Sequence, residues 1–191
     1  MKIGLYFGSF NPVHIGHLII ASHAVNETDL NQVWFVVSPQ NPFKQSASLL
    51  NEYHRLHLIK AAIDGENNLR ASNVEFNLPK PSYTIHTLAY LHEKFPQHEF
   101  ALIMGSDNLT TFHKWKNYEL ILANHDIYVY PRPLDDGGEL KNHERVKIIS
   151  APLMEVSSSF IRKSIKENKD VRYMMPESVH HYIEEMHFYE K

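Results

Sequence analysis

The chain has 191 residues, of which 43% are hydrophobic and 21% are charged, and its formal net charge is -3. This composition is typical of a folded protein and excludes a disordered chain, and the length suits one domain over residues 1–191. The lack of a global basic charge argues against nucleic acid as the main partner, because proteins that bind it usually carry a basic face. The absence of cysteine excludes disulfides, thiol nucleophiles and thiolate zinc sites.

The first residues, MKIGLYFG, lack the long apolar region and the cleavage site of a signal peptide. No later apolar run reaches membrane-spanning length, so we expect a cytoplasmic protein that does not associate with membranes. The fourteen histidines do not form a metal-ligand pattern such as H-E-x-x-H, and no metal site built from protein side chains is predicted.

In chain order, short apolar segments rich in β-branched and aromatic residues alternate with helix-length amphipathic segments. The predicted strands are 3–7, 33–37, a more polar 69–76, 100–104, 127–130 and 146–149. The predicted helices are 17–27, 51–63, 82–95, 117–124, 158–167 and 176–187. This alternation favours an α/β fold: a Rossmann-like, doubly wound, mostly parallel sheet with helices on both faces.

In a doubly wound sheet, ligands bind beyond the carboxyl ends of the strands. The loops that follow the predicted strands are therefore candidate site segments: 8–16, 38–48, 77–83, 105–116, 131–144 and 150–158. The segment 131–144 is polar and contains a Gly-Gly pair, which is compatible with either a lid or an ordinary surface loop.

The loop after the first strand, FGSFNPVHIGH, combines small residues with two histidines. Gly8 allows close approach of backbone or ligand, the N–H groups of Ser9 and Phe10 are placed to cradle an oxyanion, and Gly16 leaves room at the helix start. His14 and His17 are three positions apart and share one face of the first helical turn. Two imidazoles at a helix N-terminus suit a phosphate, whose charge they can stabilise in the transition state.

This loop resembles the G-[ST]-F-[DN]-P-x-H-x-G-H signature of the nucleotidyltransferases that share the HxGH motif. The segment VSSSFIRKSI (156–165) is similar to the second signature of that superfamily, I-S-S-[ST]-x-[IV]-R. Ser157 suits a helix N-cap, Ser158 and Ser159 add hydroxyl donors, and Arg162 can hold a phosphate in a bidentate contact.

Three further segments resemble the bacterial nicotinate-nucleotide adenylyltransferases: PSYTIHTL (81–88), GSDNLTTFHKW (105–115) and PRP (131–133). The resemblance runs from residue 3 to about 185. It implies transfer of the adenylyl group of ATP to nicotinate mononucleotide, giving nicotinate adenine dinucleotide (deamido-NAD) and pyrophosphate, with Mg²⁺ accompanying ATP. Both nucleotides are expected as partners.

The resemblance also assigns roles to residues. It implies His14, His17 and Arg162 as catalytic residues, and ATP contacts by the following set: Gly8, Ser9, Phe10, His14, Gly16, His17, Gly105, Asp107, Ser157, Ser158, Ser159 and Arg162. The residues implied for nicotinate mononucleotide are Lys44, Tyr83, Thr84, Trp115, Lys116 and Arg132. These residue types fit the chemistry, because a tryptophan face stacks on a pyridine, backbone N–H groups bind its carboxylate, and an acidic residue accepts from ribose hydroxyls.

One segment departs from the family pattern. The family loop after the second strand reads P-P-H-K, whereas this chain has NPFK at 41–44, so Phe43 replaces the histidine and His113 is a candidate substitute. The alternatives are another phosphorylated acceptor (nicotinamide mononucleotide or phosphopantetheine), a nucleotide-binding module without turnover, and an RNA-binding or tRNA-modifying domain. The oligomeric state stays open, and a homo-oligomer is compatible with the sequence.

Overall fold

The structure is a computed structural model that describes residues 1–39, 49–153 and 155–190. Within these ranges, six parallel strands form one sheet in the order β3-β2-β1-β4-β5-β6. The strands are β1 (Lys2–Gly8), β2 (Gln32–Val37), β3 (Leu69–Ser72), β4 (Glu99–Gly105), β5 (Ile127–Tyr130) and β6 (Val146–Ile148). The predicted doubly wound parallel sheet is confirmed.

The helices cover both faces of the sheet. They are α1 (Ile15–Glu27), α2 (Glu52–Ala62), α3 (Thr84–Lys94), α4 (Ser106–Thr110), α5 (Tyr118–Asn124), α6 (Ser158–Lys166) and α7 (Glu177–Glu185). Alternate strand residues face opposite sides, so Tyr6 joins a core with α1, α2, α6 and α7, whereas Leu5 joins a second core with α3, α4 and α5. None of the helices in the described ranges has the length and apolar character needed to cross a membrane.

The chain order reverses at β1, which lies between β2 and β4. The connection from β1 runs to one side and the connection from β4 to the other, so a crevice opens at the carboxyl edge between these strands. The loop 8–14, the start of α4 and the start of α6 border this crevice. The fold thus places both phosphate signatures at the same edge.

Two segments differ from the sequence-based expectation. The strand predicted at 69–76 ends at Ser72, and Val74–Asn77 forms a 3₁₀ helix that buries Glu75. The predicted first helix begins earlier, at Ile15, because His14 already caps it.

The segment 131–144 contacts α4, where the Ser106 hydroxyl accepts from the backbone N–H of Arg132 at 2.9 Å.

Helix α7 packs against α2 within the protein. Val179 and Ile183 are buried in the core that also contains α2, whereas Met186 stays exposed. The amphipathic pattern of this segment is therefore explained by its contact with α2.

Candidate active site

The loop that follows β1 brings two histidine rings together at the start of α1. His14 is the extended residue that precedes the helix, and His17 lies in its first turn. Their ring centroids are 3.8 Å apart with an interplanar angle of 33°. Both rings line a cleft at the positive end of the helix dipole, which favours a bound anion.

The protonation of each histidine follows from its contacts. The backbone N–H of His14 donates to Nδ1 of His17 at 3.2 Å, so in the neutral ring the proton of His17 is on Nε2 and can be donated. Burial, together with the nearby positive charge of Arg132, lowers the pKa of His14 to about 4. His14 is therefore neutral at pH 7 in the free protein.

Gly8 makes room for another residue of its own loop and also lines the cleft. A Cβ at this position would lie 2.8 Å from Cζ of Phe10, so the missing side chain accommodates that ring. Phe10 has a positive φ of 46°, is buried, and its ring meets that of His17 edge-on at 5.1 Å. Gly8 and Phe10 thus shape the loop and support His17.

The second signature starts α6 and contacts the first directly. The Ser157 hydroxyl oxygen accepts from the backbone N–H of Phe160 at 3.2 Å, which confirms the predicted N-cap. The Ser158 hydroxyl donates to the carbonyl of Pro12 at 2.8 Å, so it joins the two signatures, and Ser158 also lines the cleft.

Arg162 makes the second link between the signatures. Its Nη1 donates to the carbonyl of Asn11 at 2.7 Å, and its Nη2 donates to the Ser159 hydroxyl at 3.3 Å. These contacts hold the guanidinium at the edge of the cleft that also contains His14 and His17. The structure therefore brings together the three residues that the sequence implied as catalytic.

The shared cleft has a volume of about 290 Å³. Besides the histidines and Arg162, it is lined by Ser9, Asp107 and Arg132. Arg132 donates to the Tyr130 hydroxyl at 3.3 Å, and its Nε lies 4.0 Å from a carboxylate oxygen of Asp107. Arg132, which the sequence implied for the acceptor, thus lies in the same cleft as His14, His17 and Arg162.

Two glycines of the expected ATP site have structural contacts of their own. A Cβ at Gly105 would lie 3.1 Å from Cγ of Arg132, so this glycine accommodates a side chain of the cleft. Gly16 is buried within α1 and is not among the described residues that line the cleft.

A second, smaller cleft of about 90 Å³ adjoins the first. It is lined by Trp115 on one side and shares a wall with the larger cleft; the shared residues are Tyr6, Phe7, Gly8, Ser9, Ser38, Asn108 and Tyr130. Trp115 is half-buried, and its ring packs against Phe112 at a centroid distance of 5.2 Å. A ligand that reaches from Trp115 to the histidines would span both clefts.

The other residues expected to bind the acceptor lie around the start of α3. Thr84 is the first residue of this helix, and the ammonium group of Lys116 lies 4.8 Å from the ring centroid of Tyr83, a cation–π contact. None of these three residues is among the described residues that line the two clefts. Lys44 and Phe43 lie outside the described residues, and His113 is exposed on a short 3₁₀ helix.

Comparison with known proteins identifies the family. The cytidylyltransferase-like family model matches residues 5–164. A relative from Flavobacterium psychrophilum is 54% identical over the full length of both chains, and one from Bacteroides thetaiotaomicron is 44% identical over 97% of this chain and 92% of its own. Both are named probable nicotinate-nucleotide adenylyltransferase. The chain belongs to this family.

Solved structures support the fold of this adenylyltransferase. The structure of Plasmodium falciparum nicotinic acid mononucleotide adenylyltransferase, complexed with NaAD, has a TM-score of 0.83 over 99% of this chain and 97% of its own. The sequences are 21% identical, so this similarity shows the fold alone. The resemblance inferred from the sequence motifs is confirmed by the family model and the relatives.

Sequence reasoning missed several residues of the adenylyltransferase site. Tyr6, Tyr130 and Asn11 line the clefts, and Arg55 is buried behind the loop that carries the histidines. The sequence does indicate that Arg55 is buried, because it lies three and four positions before the buried Leu58 and Ile59 on the same helix face. The other three contribute through contacts between distant segments, which spacing does not reveal.

Proposed function

We propose that this adenylyltransferase joins ATP to nicotinate mononucleotide, giving nicotinate adenine dinucleotide and pyrophosphate, a reaction of NAD biosynthesis. The observation that carries the proposal is the pair of adjoining clefts, one lined by His14, His17 and Arg162 and the other by Trp115. The first suits a triphosphate and the second an aromatic ring, and their common wall places the two ligands next to each other.

The triphosphate is proposed to bind across the start of α1 and the start of α6. Nε2–H of His17 and the ring of His14 would donate to the α- and β-phosphates, and Arg162 to the leaving pyrophosphate. A neutral His14 has a proton to donate without the cost of a buried charge, and a bound polyanion would favour its protonated form. The guanidinium of Arg132 adds a second positive charge in the same cleft.

The reaction needs no covalent intermediate. The 5′-phosphate of nicotinate mononucleotide attacks the α-phosphorus in line, its oxygen forms the new P–O bond, and pyrophosphate leaves with the electrons of the bond that breaks. The attacking oxygen is already anionic, so no side chain has to remove a proton. The protein contributes by orienting the two nucleotides and by stabilising the charge that moves onto the leaving group.

We propose that Mg²⁺ enters this cleft together with ATP. Asp107 is the one carboxylate among the described residues that line it, and residues 1–39, 49–153 and 155–190 contain no group of three or more side chains suited to a metal. The cation is proposed to be held by phosphate oxygens and water. Bound there, it would supply charge neutralisation between the phosphates.

The acceptor ring is proposed to stack on Trp115. Its carboxylate would be bound by the N–H groups of Thr84 and Ile85, which precede the first N–H of α3 that donates to the N-cap carbonyl, from His86 to Tyr83 at 2.9 Å. Lys116, held over the ring of Tyr83, adds positive charge in this region. Because the carboxylate is an acceptor only, a site of N–H donors favours nicotinate over its amide.

Pyrophosphate release from Mg-ATP tests the proposal. Three acceptors are compared in parallel: nicotinate mononucleotide, nicotinamide mononucleotide and phosphopantetheine. We expect the highest kcat/KM with nicotinate mononucleotide, and the dinucleotide product is verified by mass. Absence of release with all three would refute catalysis, and preference for either of the others would refute the acceptor assignment.

A further inference from the structure

Asn11 connects the histidine loop to two distant parts of the chain. It is buried at 2% exposure, and its backbone carbonyl accepts from Nη1 of Arg162 at 2.7 Å. Its side-chain oxygen accepts from the Tyr189 hydroxyl at 2.8 Å and from the backbone N–H of Leu50 at 3.2 Å. The residue that positions the guanidinium is therefore itself fixed by a tyrosine 178 positions further along the chain.

The backbone around Tyr189 is arranged to make this contact. His187 and Tyr189 both have left-handed backbone angles, with φ of 53° and 68°. Such angles are unfavourable for residues other than glycine and persist only where the surrounding contacts maintain them. Burial raises the pKa of the Tyr189 hydroxyl, which therefore keeps its proton at neutral pH and acts as the donor.

Helix α7 has contacts of its own with α2. The hydroxyl of Tyr182 lies 3.0 Å from Nδ1 of His54 on α2, and Val179 and Ile183 are buried between the helices. These contacts hold the helix in place. The Tyr189 hydroxyl instead contacts the loop of the active site.

We propose that Tyr189 is a positioning residue for adenylyl transfer, and that it acts through Asn11 on Arg162. The Tyr189 hydroxyl holds the Asn11 side chain and so fixes the orientation of the Asn11 backbone carbonyl. This carbonyl in turn holds the Arg162 guanidinium at the triphosphate cleft. The inference rests on the proposed function for its kinetic effects. ATP binding, measured without any acceptor, tests it independently.

The test compares Tyr189→Phe with Tyr182→Phe, which removes a hydroxyl from the same part of the chain without touching the loop. Loss of one buried hydrogen bond corresponds to about 1 kcal/mol, or roughly fivefold in binding. For Tyr189→Phe we expect ATP affinity by calorimetry to fall about fivefold and kcat/KM for ATP to fall at least as much. The KM for nicotinate mononucleotide should stay within about twofold, and the melting temperature should match that of Tyr182→Phe.

A double-mutant cycle shows whether the effect passes through the arginine. In an Arg162→Ala background, Tyr189→Phe should cause little further loss of ATP affinity, because the group that it positions is gone. The proposal is overturned if Tyr189→Phe binds ATP as wild type does, if both substrates are affected equally, or if the full loss persists without Arg162. If no acceptor reacts, the binding measurements still decide this inference, so its failure is distinct from that of the proposed function.

Discussion

Arg55 is a buried cation whose replacement tests how the histidine loop is supported. It is 0% exposed, and within the described ranges its guanidinium donates to four backbone carbonyls. The donor–acceptor distances are 2.8 Å to Leu50, 2.7 Å to Ser9, 2.9 Å to Ser38 and 3.4 Å to Pro39. The side chain thus joins α2 to the loops that follow β1 and β2.

The perturbation is Arg55→Met, which keeps a long apolar stem and removes every donor. Three of the four distances are 2.9 Å or shorter. Each carbonyl left buried without a partner costs about 1 kcal/mol or more, so the expected loss is about 3 kcal/mol of unfolding free energy. For a chain of this size, that corresponds to a fall in melting temperature of roughly 6–12 °C.

Urea unfolding followed by circular dichroism measures the loss. Lys60→Met, near the exposed end of the same helix, is the matched control and should change the free energy of unfolding by less than about 0.5 kcal/mol. Arg55→Lys keeps the charge but not the planar fork, and should lie between wild type and Arg55→Met. If Arg55→Met unfolds within about 1 kcal/mol of the Lys60→Met control, the carbonyl contacts do not support the loop and the reasoning is refuted.

Three further predictions concern the clefts. His17→Ala should lower kcat roughly 100-fold or more, because a preorganised hydrogen-bond donor is lost, while circular dichroism shows that the fold is retained. Turnover near that of wild type would exclude His17 as this donor. Trp115→Ala should mainly raise the KM for nicotinate mononucleotide, whereas an unchanged KM would leave Trp115 a packing residue. The pKa of His14 is lowered to about 4 in the folded protein. When the pH is lowered from 7 to 5, the unfolded chain therefore gains a proton that the folded chain does not, and the free energy of unfolding decreases. His14→Gln should remove about 2 kcal/mol of this fall in urea titrations at the two pH values, and parallel curves for variant and wild type would contradict the assignment.

The fold was predictable because its evidence is local. Apolar runs such as VWFVV become strands buried on both faces, and the alternation with amphipathic helices leaves the doubly wound sheet as the consistent arrangement. The location of the site at the carboxyl edge of the sheet was predictable as well, because ligands of doubly wound sheets bind beyond the carboxyl ends of the strands. The 3₁₀ helix at Val74–Asn77 was missed because a turn and a polar strand have similar sequences over so few residues.

The site was predictable in its residues but not in its contacts. The motifs indicated His14, His17 and Arg162, and the structure places them in one cleft. The contacts of the Ser158 hydroxyl with Pro12 and of Gly8 with the Phe10 ring depend on where Pro12 and Phe10 lie in three dimensions. Spacing along a helix or strand carries no information about such contacts.

The hydrogen bonds that join the two signatures also fix when the site can exist during synthesis. Ser158 and Pro12 are 146 positions apart, and Arg162 and Asn11 are 151 apart. A ribosome makes the histidine loop first, so that loop must wait for nearly the whole chain before it meets its arginine. Contacts of such separation form late in folding, because the chain between them has to be ordered first. A chain that has not yet reached residue 158 therefore lacks both contacts that join the proposed triphosphate site.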